Sequence, residues 1–202
     1  MQKIACDVDG VIAQFNLDYG RLFIELTGEN RFGEDWEDRL AANTFPETWN
    51  WESAAGYTPE QVKKVWREIT HNDGFWSGLS ELPGARDAVR KLNHMANLGH
   101  DIYFITNRMG IRAKHQTEIF LYGLGMNYPT VLVAADKLPI LKSIGANVFI
   151  DDKPETVIEV GNAKLDLTLY LRDAPYNRTQ EYPNNVRRVA GVLEALKDGC
   201  GV

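Results

Sequence analysis

Lys3-Ile4-Ala5-Cys6-Asp7-Val8-Asp9-Gly10-Val11 reads as a short apolar strand that ends in two carboxylates and a turn. Side chains on an extended chain alternate faces, so Asp7 and Asp9 point to the same side, and Gly10 lets the backbone turn sharply after them. Buried together, the two carboxylates would repel and at least one would take up a proton. A divalent cation removes that conflict, and an all-oxygen donor set suits Mg²⁺. Turns and calcium loops use the same residue types, so the stretch by itself defines only an acidic strand end.

Working outward, further apolar runs occupy residues 101–106, 130–134 and 147–151, while 166–171 alternates with Leu167, Leu169 and Leu171 on one face. Helical patterns lie between them. One starts at Pro83-Gly84, carries Ala85, Ala88, Val89, Leu92, Met95 and Ala96, and stops at Gly99. Another runs through Leu138, Leu141 and Ile144 to Gly145, and a last amphipathic helix is expected over residues 187–197. Strands alternating with helices predict an α/β fold, a mostly parallel sheet covered on both faces in three α/β/α layers. Ligands bind such sheets at the carboxyl ends of the strands.

Residues 15–82 break the alternation and hold all five tryptophans. Within them Thr58, Pro59 and Gln61 give a well-specified helix start, followed by the stripe Val62, Val65, Trp66 and Ile69. This segment reads as a small helical cap inserted after the first strand, with residues 1–14 and 83–202 forming the catalytic core. Its aromatic residues serve as the insertion's own core in the plain reading.

The 202 residues carry a formal net charge of −6, which argues against a nucleic-acid partner, where a basic stripe is expected. No apolar run is long enough to span a bilayer, and none reads as a secretory leader. With two cysteines, Cys6 in the first strand and Cys200 near the end, a disulfide framework is not expected, and the anticipated setting is the reducing cytoplasm. The four histidines lack metal-ligand spacing.

Two other strand ends add chemistry. Thr106-Asn107-Arg108 offers a hydroxyl and free backbone N–H groups suited to phosphate oxygens, or Thr106 simply caps the next helix. Asp151-Asp152-Lys153-Pro154 supplies a second acidic pair whose carboxylates both need partners. Together these ends resemble the four motifs of the haloacid dehalogenase superfamily of phosphatases: Asp7-Val8-Asp9-Gly10-Val11, Ile105-Thr106-Asn107, a lysine, and Phe149-Ile150-Asp151-Asp152. Lys137 is the candidate third-motif lysine, with Lys142 the alternative. The resemblance implies a Rossmann-like core and a phosphohydrolase in which Asp7 attacks phosphorus and forms an aspartyl-phosphate. Asp9 would be the general acid–base, and Thr106, Asn107 and Lys137 would hold the phosphoryl oxygens. Mg²⁺ would be held by Asp7, the Asp9 carbonyl, Asp151 and Asp152.

The return segment Gly74-Phe75-Trp76-Ser77-Gly78-Leu79, leading into Leu82-Pro83-Gly84-Ala85, resembles the cytosolic, mitochondrial and phage-type 5′(3′)-deoxyribonucleotidases. That likeness implies a small-molecule nucleotide substrate. Phe75 and Trp76 are candidates to stack on a base, and Arg108 either reaches the substrate or forms a salt bridge. Asp173-Ala174-Pro175-Tyr176-Asn177 reads as turn-forming, though it lies where it could border the site. A sugar-phosphate phosphatase and a catalytically silent binding module are the rival readings; oligomeric state is not set by the sequence.

Overall fold

Residues 1–200 are described by this computed structural model, the side chain of Cys200 excepted. Among them, six strands form one all-parallel sheet: β1 (Lys3–Cys6), β2 (Asp101–Thr106), β3 (Thr130–Val133), β4 (Val148–Asp151), β5 (Thr168–Arg172) and β6 (Val186–Val189), in the order β3-β2-β1-β4-β5-β6. The four-residue β1 lies at the centre, and the chain winds away from it in both directions. The strand order therefore reverses between β1 and β4, and the crevice at their carboxyl ends is where such sheets bind ligands. Cys6 pairs with Phe104 on one side and Ile150 on the other, so the three strands end within two residues of one another.

The helices are α1 (Phe15–Thr27), α2 (Trp36–Ala41), α3 (Trp51–Ala54), α4 (Pro59–His71), α5 (Ala85–Asn97), α6 (Ala113–Gly123), α7 (Leu138–Ile144), α8 (Pro154–Asn162) and α9 (Val192–Cys200). Alternation in the strands divides the core into two layers. Ala5, Ile105, Phe149, Leu169 and Leu171 face one side, under Leu141 of α7 and Val157 and Val160 of α8. Ile4, Cys6, Phe104, Ile150 and Tyr170 face the other, against Leu92 of α5, Phe120 of α6 and Leu196 of α9. Leu169, Tyr170 and Leu171 are all buried, so β5 is an interior strand covered on both faces rather than a half-exposed one.

The expected helix over residues 187–197 is corrected: its first part is the edge strand β6, and α9 begins only at Val192. Arg187 and Arg188 point outward there, as charged side chains do on edge strands.

Helices α1 to α4 fill the segment between β1 and α5. Thr58 and Gln61 close a capping box, the Thr58 hydroxyl accepting from the Gln61 N–H (3.3 Å) and the Gln61 side chain from the Thr58 N–H (2.9 Å). Aromatic packing joins the short helices, with Phe32 4.3 Å from Trp51 and Phe23 4.4 Å from Tyr57 between ring centroids. Such pairs add about 0.5–1.5 kcal/mol each beyond their buried area. The chain enters and leaves this segment side by side: Gln14 N–H donates to Ser80 O and Leu82 N–H to Ile12 O, both at 2.8 Å. Its apolar residues continue directly into the cluster under the sheet. No helix among the described residues is long and apolar enough to cross a membrane.

Candidate active site

Asp7 directly follows β1, and Asp151 and Asp152 end and follow β4, so the reversal of strand order brings the three carboxylates together. They are buried, with one oxygen from each lying within 4.8 Å of the others. Lys137, between β3 and α7, reaches in from across β2; its Nζ lies 2.8 Å from Asp7 Oδ1 and 2.7 Å from Asp151 Oδ2. Lys142 is exposed in the last turn of the same helix, so of the two candidate lysines only Lys137 reaches the cluster.

One ammonium faces three buried carboxylates, and the imbalance appears in their protonation. Burial pushes the Asp7 carboxyl well above its usual range, against the pull of Lys137. Burial, with the charge of Asp151, pushes Asp152 up to about 7, while its hydrogen bond from Tyr176 acts the other way. For Lys137 burial works against the charge, but Asp151 and Asp7 outweigh it and hold the ammonium above its ordinary range. A cluster of hard oxygen donors with uncompensated negative charge fits a divalent cation such as Mg²⁺. The Cys6 thiol beneath is buried, which raises it well above its ordinary value; it is a core residue.

Asp9 lies apart from that cluster. Its carboxylate accepts from Arg108, Nη2 to Oδ1 at 2.8 Å and Nε to Oδ2 at 3.0 Å, and from the Thr106 hydroxyl at 3.2 Å. Arg108 is only 1% exposed. It is therefore not presented to solvent, and of the two alternatives, substrate contact or salt bridge, the geometry shows the salt bridge, buried rather than at the surface. Thr106 likewise turns its hydroxyl to Asp9, whereas Asn107 is exposed at the cavity.

The loop after Asp9 is held by Ile12 and Ala13 N–H groups donating to Val8 O at 2.8 Å. Gly10 has φ +71°, and a Cβ there would overlap the Asp152 carboxylate and come within 3.1 Å of the Tyr176 hydroxyl. Gly10→Ala is accordingly expected to lower thermal stability by about 1–3 kcal/mol and to disable the site, read by denaturant unfolding and phosphatase assay on the same sample.

Above the acidic cluster opens a cavity of about 330 Å³, within the range of small-ligand sites. Asp7, Asp9, Asn107, Lys137 and Asp152 line it together with Phe15, Tyr19, Trp49, Trp51, Trp66 and Trp76. Trp76 presents part of a ring that is otherwise buried, stacked on Phe15 (5.8 Å, 21°) with its indole N–H donating to Met109 O at 2.9 Å. Phe75 does not line the cavity; it packs edge-on against Trp76 and Phe15 from behind.

Several lining residues were given no role at the site from the sequence. Tyr176 is the main one: the segment 173–177 does turn, in a short 3₁₀ helix, but Tyr176 is buried, donates to the Asp152 carboxylate and lines the cavity. Asn177 supports it, donating to Asp152 O and Arg172 O at 2.9 Å each. The available signal was position, since this loop follows β5 at the carboxyl edge of the sheet. Glu52 adds a half-buried carboxyl that burial raises, and no local pattern marked it.

A family model described as 5′ nucleotidase, deoxy (Pyrimidine), cytosolic type C protein matches residues 1–195. The chain belongs to that nucleotidase family. A protein named as a nucleotidase in Oceanobacillus iheyensis is 27% identical over 134 residues, which is 60% of this chain. The match covers 64% of that relative, so the chain spans less than two thirds of its length. Two solved structures bear on the fold of this nucleotidase-family chain. A haloacid dehalogenase-like hydrolase from Streptococcus pneumoniae gives a TM-score of 0.59 at 11% identity, over 98% of each chain. A HAD-hydrolase from Bacillus subtilis, solved bound to magnesium, gives 0.56 at 14% identity, over 98% of this chain and 97% of that one. The α/β expectation and the family resemblance both hold.

Proposed function

We propose that this chain is a Mg²⁺-dependent phosphomonoester hydrolase, a 5′-nucleotidase acting on deoxynucleoside monophosphates through an aspartyl-phosphate on Asp7. The observation that carries the proposal is the placement of Asp7 at the floor of the cavity, beside Lys137, with Asp9 separately anchored next to it. Asp7 attacks phosphorus as the bond to the leaving oxygen breaks, and Asp9 donates a proton to that oxygen. Asp9 then takes a proton from the water that attacks the aspartyl-phosphate, which releases phosphate and restores Asp7. Lys137 and Asn107 balance charge on the phosphoryl oxygens. Asp7, Asp151, Asp152 and the Asp9 carbonyl would hold Mg²⁺, which when bound supplies charge neutralisation at the phosphoryl group.

Residues 15–82 act as the cap that closes the cavity and excludes water. Their aromatic rings support a nucleotide over a sugar phosphate, because a flat base gains ~1–3 kcal/mol from each stacking contact and a hexose ring has no π face to offer. The family description, which names pyrimidine deoxynucleotides and a cytosolic type, supports the same substrate and a cytosolic setting.

A panel of deoxynucleoside monophosphates and sugar phosphates, assayed with Mg²⁺, tests the substrate. Stacking of that strength predicts that kcat/KM favours nucleotides by about tenfold or more. Hydrolysis confined to sugar phosphates would end the nucleotidase reading and keep only the phosphatase one.

A further inference from the structure

We infer that Arg108 is a positioning residue that fixes Asp9 for proton transfer to the leaving group, rather than a substrate-binding residue. The inference rests on the acid–base reading of Asp9. Its basis is the way the guanidinium is held. Nη2 and Nε face the two Asp9 oxygens at 2.8 and 3.0 Å, while Nη1 donates to the Trp76 carbonyl at 3.2 Å and to the Thr117 hydroxyl at 3.1 Å. Trp76 and Phe120 flank it, with ring centroids 5.1 and 5.4 Å from the guanidinium carbon. A planar donor fork fixed at both ends and between two rings has one orientation, and it transmits that orientation to the carboxylate it grips. Asp9 itself is the more exposed partner, its side chain 24% accessible against 0% for Arg108. The more exposed, cavity-facing member of the pair is thus tethered by a buried member held through every guanidinium nitrogen. Trp76 also lines the cavity, so the same guanidinium ties the acid–base to the wall expected to meet the leaving group.

A structural clamp and a positioning residue are separated by varying the leaving group. A nucleoside 5′-alkoxide needs a proton as its bond to phosphorus breaks; p-nitrophenolate leaves without one. The comparison is made on kcat/KM, which reports the first phosphoryl transfer and excludes hydrolysis of the aspartyl-phosphate. With Mg²⁺ present, Asp9→Asn should lower kcat/KM for a deoxynucleoside monophosphate by about 10²–10⁴-fold, and far less for p-nitrophenyl phosphate. Arg108→Met should show the same selectivity, with a loss of at least about tenfold on the nucleotide and under about threefold on the aryl ester. Added to Asp9→Asn, it should cost the nucleotide reaction almost nothing more, because the two residues act as one unit.

Equal losses on both substrates in Arg108→Met, or losses that add to those of Asp9→Asn, would overturn the inference and return Arg108 to binding or packing. Should Arg108→Met fail to fold, Arg108→Lys carries the same comparison, since it keeps the buried charge but loses the two-oxygen grip. Absence of leaving-group selectivity in Asp9→Asn defeats the acid–base reading itself, and this inference with it.

Discussion

Asp7→Asn is expected to lower turnover of every phosphomonoester by on the order of 10⁴-fold or more, with the fold intact. The amide has the shape of the carboxylate, and its oxygen can still accept from the Val8 N–H, which lies 2.7 Å from Asp7 Oδ1. What it lacks is the anionic oxygen able to form and then release a bond to phosphorus. The stability consequence has the opposite sign. Burial raises the Asp7 carboxyl above its unfolded value, so its contribution to stability is present at acid pH and is lost as pH rises through the raised range. Asparagine escapes that loss. In chelator at neutral pH, the variant should therefore melt no lower than the parent, while activity is gone. Turnover near the parent rate would defeat the nucleophile assignment.

Lys137→Met is expected to produce the largest stability loss of the set. Lys137 is only 5% exposed and bridges Asp7 and Asp151, and its removal leaves those carboxylates buried without a positive partner. Breaking a buried pair from one side costs about 3–5 kcal/mol. Activity should fall by about 10²–10³-fold as well, the scale of losing one charge-stabilising group. Adding Mg²⁺ should recover part of the melting temperature but not the rate. Lys142→Met is the control: that side chain is exposed, so stability should change by no more than about 0.5 kcal/mol and activity not at all. Equal behaviour of the two variants, followed by thermal melts and phosphatase assays, would contradict the role given to Lys137.

The parts of the fold that were legible share one property. At β1, β2 and β4 a short apolar run ends abruptly in Asp, Thr or paired Asp, and both the burial and the chemistry are written in consecutive residues. Edge strand β6 offered no such run, because half of Val186-Arg187-Arg188-Val189 faces outward and its valines join smoothly to the helical stripe of α9. Helices α2 and α3, six and four residues long, are too short for a hydrophobic period to register. That is why Trp51 and Glu52 could not be placed at the cavity from sequence.

The site divides in the same way. Asp7, Asp151, Asp152 and Lys137 converge because the parallel strands all end at one edge of the sheet, which a motif near each strand end anticipates. The grip of Arg108 on Asp9 depends on two residues 99 positions apart, and on where Trp76 and Phe120 leave room for a buried guanidinium. Tyr176 lies in a Pro-Tyr-Asn turn with no periodicity around it, and only the tertiary fold brings its hydroxyl to Asp152.

The central claim is covalent chemistry at Asp7, and one trapping measurement addresses it directly. The Asp9→Asn enzyme, mixed with Mg²⁺ and p-nitrophenyl phosphate and quenched in acid, should release p-nitrophenol in a burst that matches the enzyme concentration. Because the water-activating carboxylate is missing, the aspartyl-phosphate should accumulate, and peptide mass mapping should place one phosphoryl group on Asp7. A phosphoryl group on any other residue, or sustained turnover with none on the protein, would contradict the account.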